Sequence, residues 1–317
     1  MNAPNSIARI LLLVCLIFVS SESIAQRDKD QSFSLEHGGR ERTFFLHLPA
    51  DYSPNSTYPL VIALHGGGGK AKLFNRSTRR RFNELADIEK FIVVYPQGVK
   101  KSWNDNSKRD TLGYARRWKV DDVGFIRKMI DQLEAEYSID PSHIFACGIS
   151  NGGLMSLTLA VELPEKIKAI GMVASNFSEA QSMEMDASSK FSMIMIHGDQ
   201  DRIFPYEEGE IKVFRKTRGK VLGVQKSIEL LCEINGNNPN GVGRELPDPS
   251  ANDGCTAEQI VYPNTNDPSL KIELIRVKGG GHTWPGGTQY LPKSMVGRVS
   301  RDFNACDALW TFFESLI

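Results

Sequence analysis

Short apolar runs, each closed by turn-forming residues, recur along the chain at 60–64, 91–95, 144–147, 167–173, 191–196 and 272–277. Runs without polar alternation are the pattern of strands buried on both faces. Helical spacing appears between them. In 121–137, Val123, Ile126, Ile130, Leu133 and Tyr137 fall on one side, and Asp121 and Asp122 stand at the start, where a carboxylate suits the helix dipole. A last helix is expected over 303–316, with Leu309, Trp310, Phe313 and Leu316 on one side. Upstream, SFSLEH and TFFLHL flank Gly38-Gly39 and predict a hairpin within 33–49. Strands alternating with helices predict an α/β fold: a mostly parallel, doubly wound sheet with an N-terminal antiparallel hairpin. One irregular stretch, 235–254, is rich in Asn, Gly and Pro and reads either as a functional lid or as a poorly ordered loop.

The start of the chain follows a different rule. Arg9 precedes an apolar run at 10–19, and Ser23 and Ala25 supply small residues before a cut. This is the layout of a secretory signal peptide covering 1–25, with an apolar core too short to span a bilayer comfortably. The mature chain, 26–317, is then expected to be one catalytic domain, periplasmic or extracellular, with no membrane anchor after cleavage. Lys plus Arg and Asp plus Glu both number 38, giving zero formal net charge, which argues against nucleic acid as a partner. Arg79-Arg80-Arg81 reads as the solvated face of a helix. Four cysteines remain after cleavage. Cys232 and Cys255 bracket the irregular stretch and are the expected disulfide in an oxidising compartment. Cys147 and Cys306 sit in apolar segments and are expected to be buried and inert.

The chemistry starts at Gly148-Ile149-Ser150-Asn151-Gly152, a G-x-S-x-G pattern between a predicted strand and a predicted helix. Such a turn lifts a serine hydroxyl to the tip of the sheet, and a serine needs a base to become a nucleophile. In the Ser-Asp-His chain order of this architecture, the base follows both other groups. His282, in a glycine-rich loop after the last predicted strand, meets that condition; His197 ends a strand and precedes the acid candidates. The acid should follow the run at 191–196, where Asp199 and Asp201 both stand. Asp201 is the expected partner of His282, and Asp199 the residue that caps the loop through backbone amides. An oxyanion hole is expected from the amide of Asn151 and from His65-Gly66-Gly67-Gly68-Gly69, with Gly67 first and Gly68 next. The P-loop and dinucleotide-binding patterns are missing, and the histidines lack metal-ligand spacing, so no cofactor and no metal is expected.

The segments LVIALHGGGG, SWNDN, VDDVGFIRKMID, GISNGG, HGDQD and GGGHTWPGG together resemble the secreted poly(3-hydroxybutyrate) depolymerase and feruloyl esterase group, carbohydrate esterase family 1 in the broad sense. The resemblance runs from about Phe33 to the C-terminus. It implies an α/β-hydrolase fold with Ser150, Asp201 and His282 as triad. It also makes Trp103 and Trp284 candidates to wall the substrate pocket, with ordinary packing as the other reading. Asn106 stands where relatives usually carry glycine, and Gly67 where they often carry cysteine. The stretch after His282 is too short for the surface-binding module that attack on solid polyester usually needs. Expected substrates are therefore small or oligomeric esters, first feruloyl or acetyl esters on plant carbohydrate fragments and then hydroxyalkanoate oligomers. An acyltransferase, a serine peptidase and a non-catalytic binding relative are lesser alternatives.

Overall fold

The computed structural model describes residues 30–106, 114–213 and 216–317. The predicted signal peptide lies outside them. Strands β1 (Asp30–His37) and β2 (Arg40–His47) form the expected hairpin, joined by Gly38 and Gly39 at φ 57° and 67°. Two successive positive φ values match the right-handed twist of the flanking strands, and glycine adopts them without strain. The parallel core consists of β3 (Tyr58–Leu64), β4 (Ile92–Pro96), β5 (Ile139–Ile149), β6 (Ala169–Val173), β7 (Ser192–Gly198) and β12 (Ile272–Lys278). Each overlaps one of the six apolar runs. β10 (Val242–Glu245) and β11 (Thr256–Tyr262) extend the sheet antiparallel beyond β12. The order across the sheet is β1-β2-β4-β3-β5-β6-β7-β12-β11-β10, while β8 (Gly209–Val213) and β9 (Lys216–Val221) pair separately as a hairpin.

Each parallel strand sends alternate side chains into two apolar layers, which is why its sequence reads as a continuous apolar run. In β3, Leu60, Ile62 and Leu64 enter one layer, and Val61 and Ala63 the other. The helices are α1 (Ala71–Ser77), α2 (Arg81–Glu89), α3 (Tyr114–Arg117), α4 (Asp122–Glu136), α5 (Asn151–Glu162), α6 (Glu179–Ser182), α7 (Val224–Asn235), α8 (Lys293–Val296) and α9 (Ala305–Glu314). Helices α4, α5 and α7 pack on the first layer; α1, α2 and α9 pack on the second. The Asp121 side chain caps α4 by accepting the Gly124 amide at 2.8 Å. Asp122 turns inward instead, to Arg42 at 2.5 Å and the Asn104 amide at 2.7 Å.

Three expectations fail here. Arg79 and Arg80 form a left-handed turn, φ 57° and 59°, between α1 and α2, and only Arg81 is helical, paired with Asp307 and Glu84. The 235–254 stretch is neither lid nor loose loop: it carries β10, the edge strand of the sheet, well away from β5. Cys232 and Cys255 are free thiols rather than a disulfide. The reason is topological, since Cys232 packs in the α4/α5/α7 layer and Cys255 in the opposite one, with the sheet between them. Burial pushes both thiols up to about 12.

Candidate active site

Ser150 is the single residue between β5 and α5, with φ 58° and ψ −121°. Such a conformation costs an L-residue about 1–3 kcal/mol and persists only where the surroundings enforce it. Here its amide donates to the Val173 carbonyl at 2.9 Å, and its own carbonyl accepts the Leu154 amide at 3.0 Å. The turn also lies hard against β3. A Cβ on Gly152 would sit 2.3 Å from the Leu64 carbonyl oxygen, so the motif's second glycine is required by close approach. The strain holds a partly exposed hydroxyl at the C-terminal edge of the sheet.

Asp201 and His282 lie beyond the C-terminal ends of β7 and β12, on the same edge. The His282 Nδ1–H donates to Asp201 Oδ2 at 2.8 Å. Asp201 Oδ1 accepts the amides of Ile203 and Phe204, both at 2.8 Å, so the carboxylate is fixed from two directions. The imidazole stacks on Phe204 at 5.6 Å and 14°. Its backbone is pinned by an amide bond to the Val296 carbonyl at 2.6 Å and by the Tyr290 hydroxyl, which donates to the His282 carbonyl at 3.0 Å. A Cβ on Gly281 would lie 2.1 Å from the Val296 oxygen, which explains a glycine just ahead of the histidine. With Nδ1 committed to Asp201, Nε2 is the nitrogen left to take a proton. No hydrogen bond joins it to Ser150 in this structure; the serine and the Asp201–His282 pair share the rim.

The neighbouring groups have different tasks. Asp199 Oδ1 accepts the Gly279 amide at 2.8 Å and Oδ2 meets Arg276 at 3.1 Å, so it ties the acid loop to the histidine loop. His197 is fully buried, with Nε2 at 3.0 Å from the Phe204 carbonyl and 3.6 Å from Asp201 Oδ2. Burial pushes its pKa down, against the pull of the Asp201 charge, which makes it a neutral brace beneath the acid.

The glycine loop after β3 resolves which amides are available. Gly68 donates to the Lys101 carbonyl at 2.8 Å and Gly69 to the Gly66 carbonyl at 3.0 Å. Among the described residues, the amides of Gly67 and Asn151 have no such acceptor. The two are neighbours: a Cβ on Gly67 would lie 3.7 Å from Asn151 Cβ. Helix α5 begins at Asn151, so that amide also carries the positive end of the helix dipole.

A buried network holds this arrangement, and the sequence reading missed most of it. Asn151 Oδ1 accepts the Trp103 amide at 2.8 Å, and Nδ2 donates to the Trp103 carbonyl at 3.2 Å and to Asp105 Oδ2 at 2.7 Å. The Asp105 carbonyl accepts from Gln181 at 3.0 Å and from Thr158 at 2.8 Å. His65 donates from Nδ1 to the Gly66 carbonyl at 2.8 Å and accepts the Gly98 amide on Nε2 at 3.0 Å. Burial lowers its pKa to about 4, so it is neutral near pH 7. The signal available was SWNDN, which contains both Trp103 and Asp105.

Neither tryptophan walls an open pocket. Trp103 is completely buried, its indole N–H donating to the His65 carbonyl at 2.8 Å and its ring packed on His65 at 4.9 Å. Trp284 is buried under the histidine loop, edge-on to Phe74 at 5.1 Å and Phe82 at 6.1 Å. Packing is the role of both. Two surface cavities, of about 510 and 360 Å³, lie against the β1–β2 hairpin and are not lined by Ser150, Asp201 or His282. They lie away from the rim, where Ser150 is half-buried and Gly67 is exposed.

Comparison with known proteins agrees with this architecture. The chain is 29% identical over 281 residues to "Putative esterase NocK" of Nocardia uniformis subsp. tsuyamanensis, covering 86% of this chain and 79% of that protein. It is 28% identical over 173 residues to "Probable feruloyl esterase C" of Aspergillus clavatus, covering 53% of this chain and 57% of that one. Among solved structures, the acetyl xylan esterase from Aspergillus awamori superimposes with a TM-score of 0.52 at 16% identity, over 80% of this chain and 94% of that one, which shows the shared α/β-hydrolase fold. Residues 36–201, reaching from the first hairpin through the serine elbow to Asp201, match the Esterase family, described as "Putative esterase". With more than half of the chain so matched, the protein belongs to that family and is a carboxylic ester hydrolase.

Proposed function

We propose that this esterase is a secreted serine hydrolase that cleaves feruloyl or acetyl esters of plant polysaccharide fragments through an acyl-enzyme. The hydrogen bond of 2.8 Å between Asp201 and His282, on the same rim as a serine held in strained geometry, carries the reading. His282 Nε2 takes the Ser150 proton as Oγ attacks the ester carbonyl. Asp201 keeps the proton on Nδ1 and stabilises the imidazolium that forms. The amides of Gly67 and Asn151 receive the negative charge of the tetrahedral intermediate, an interaction typically worth ~10²–10³ in turnover for each donor. The imidazolium then protonates the leaving alcohol, and water repeats the sequence on the acyl-enzyme. The feruloyl esterase relative supports the acyl class, and the leader-like segment 1–25 supports secretion.

The test is kcat/KM over methyl ferulate, acetylated xylan and 3-hydroxybutyrate oligomers, with Ser150→Ala alongside. The reading expects the ferulate or acetyl substrate to lead and the variant to be inactive on all. Preference for the hydroxybutyrate oligomers would replace the proposed substrate class, and an active Ser150→Ala would remove the mechanism.

A further inference from the structure

The segment 102–106 is gripped a second time, by residues with no part in the triad. Trp103 joins the carriers of the two proposed oxyanion donors. Its amide donates to Asn151 Oδ1 at 2.8 Å, and its indole N–H donates at 2.8 Å to the carbonyl of His65, just ahead of the glycine loop. The next residue is fixed from the start of α4. The Asn104 amide donates to Asp122 Oδ2 at 2.7 Å, and Asn104 Nδ2 donates to the Val120 carbonyl at 2.9 Å. SWNDN and VDDVGF, which stand apart in the chain, therefore meet through two hydrogen bonds.

Asp122 is itself held rigidly. Its other oxygen, Oδ1, accepts from the Arg42 guanidinium at 2.5 Å, and both side chains are buried. Arg42 also lies over the Phe125 ring of α4, 3.8 Å from its centre. A buried ion pair is weak evidence for stability, because well-packed apolar side chains often serve a fold as well. What this pair supplies is direction. A carboxylate with one oxygen committed to a fixed guanidinium offers the other to a single backbone amide along one line. The neighbouring Asp121 makes the contrast. Its exposed side chain caps α4 through the Gly124 amide at 2.8 Å and meets His37 at 2.8 Å; among the described residues it makes no hydrogen bond to 102–106.

Resting on the serine-esterase mechanism proposed above, we infer that Asp122 and Asn104 are positioning residues for the oxyanion hole: they fix Trp103, and Trp103 keeps the Gly67 and Asn151 amides in register. Asp122→Asn tests this with almost no change of shape. A carboxamide has one acceptor oxygen, so whichever way it turns, its NH2 group faces either the guanidinium or the Asn104 amide. Rates on p-nitrophenyl acetate are expressed per serine labelled to completion by a fluorophosphonate, so that unfolded protein is not counted. Both kcat and kcat/KM should fall by roughly tenfold, with KM within about twofold, because the loss is confined to transition-state contacts. Asp121→Ala should lower the urea midpoint and leave kcat unchanged. Asn104→Ala removes only the Val120 bond, from a half-buried side chain. It should lower kcat by roughly threefold in the wild type and hardly at all in an Asn151→Ala background, since both act through one segment. Should Asp122→Asn fail to fold, this second comparison decides alone. Wild-type kcat in folded Asp122→Asn, an equal loss in Asp121→Ala, or the same Asn104→Ala factor in both backgrounds overturns the inference. Failure of the wild type to hydrolyse p-nitrophenyl acetate would instead overturn the esterase reading beneath it.

Discussion

Replacing Asn151 with alanine separates a residue's backbone from its side chain at the heart of the site. The backbone amide proposed to receive the oxyanion remains, because it belongs to the peptide. What is lost is a buried carboxamide bonded at 2.7–3.2 Å to the Trp103 amide, the Trp103 carbonyl and Asp105. Each buried polar group left without a partner costs about 1–3 kcal/mol. Three such groups would cost about 3–9 kcal/mol if all stayed unsatisfied. Arg116 remains beside Asp105, and water can enter from the rim, so a loss of about 3–5 kcal/mol is expected. Activity should fall for a related reason. The 102–106 segment that Asn151 holds follows directly on Lys101, whose carbonyl accepts the Gly68 amide and so ties this stretch to the glycine loop. A shift approaching 1 Å in either donor costs on the order of 10²-fold in turnover. Urea unfolding followed by tryptophan fluorescence reports the first effect, and kcat for p-nitrophenyl acetate the second. A variant less than about 1 kcal/mol destabilised with unchanged kcat would show that the network does not hold the site.

Two further predictions concern groups the sequence alone did not place. Because His65 binds a proton at about pH 4 when folded and near 6.5 when unfolded, it has no effect above pH 6.5 and destabilises the fold progressively as pH falls towards 4, by about 3 kcal/mol in full. Urea unfolding at pH 8 and pH 4.5 should show a pH dependence smaller in His65→Asn than in wild type by a large part of that amount; equal slopes would contradict a buried neutral imidazole. Since Cys147, Cys232, Cys255 and Cys306 are all buried and free, native protein should react slowly with a thiol reagent, while guanidinium-unfolded protein without reductant should titrate all four thiols. Two thiols, with a Cys232–Cys255 peptide found by mass spectrometry, would restore the disulfide.

The parts legible in the sequence share a physical basis. A parallel strand with helices on both faces has no polar face, so β3 to β7 and β12 stand out as apolar runs. The edge strand β10 reads VGRE and is wholly exposed, and β11 interleaves Thr, Glu and Gln with its apolar residues, so neither has that signature. Ser150, Asp201 and His282 could be picked out because each stands just past the end of an apolar run, those of β5, β7 and β12. Local sequence does not show that His282 bonds Asp201 while Asp199 bonds the Gly279 amide, because both contacts cross some eighty residues. The choice between Gly67 and Gly68 needs the Lys101 carbonyl, more than thirty residues downstream. The tryptophans mislead for a similar reason: an aromatic residue near a catalytic motif reads the same whether it faces the cleft or the core. Cys232 and Cys255 flank one chain excursion, and only the sheet running between them shows that they cannot meet as placed. The Asn151–Trp103–Asp105 network joins residues almost fifty positions apart and leaves only the unassigned SWNDN pattern as a trace.

The central claim is that Ser150 is a nucleophile activated by His282 and Asp201, and covalent labelling tests it most directly. Wild-type protein treated with a fluorophosphonate and analysed by peptide mass spectrometry should carry one adduct, on Ser150. Ser150→Ala should carry none, and His282→Ala and Asp201→Asn should label far more slowly while remaining folded by circular dichroism. An unlabelled wild type, an adduct on another serine, or His282→Ala labelling at the wild-type rate would contradict the account.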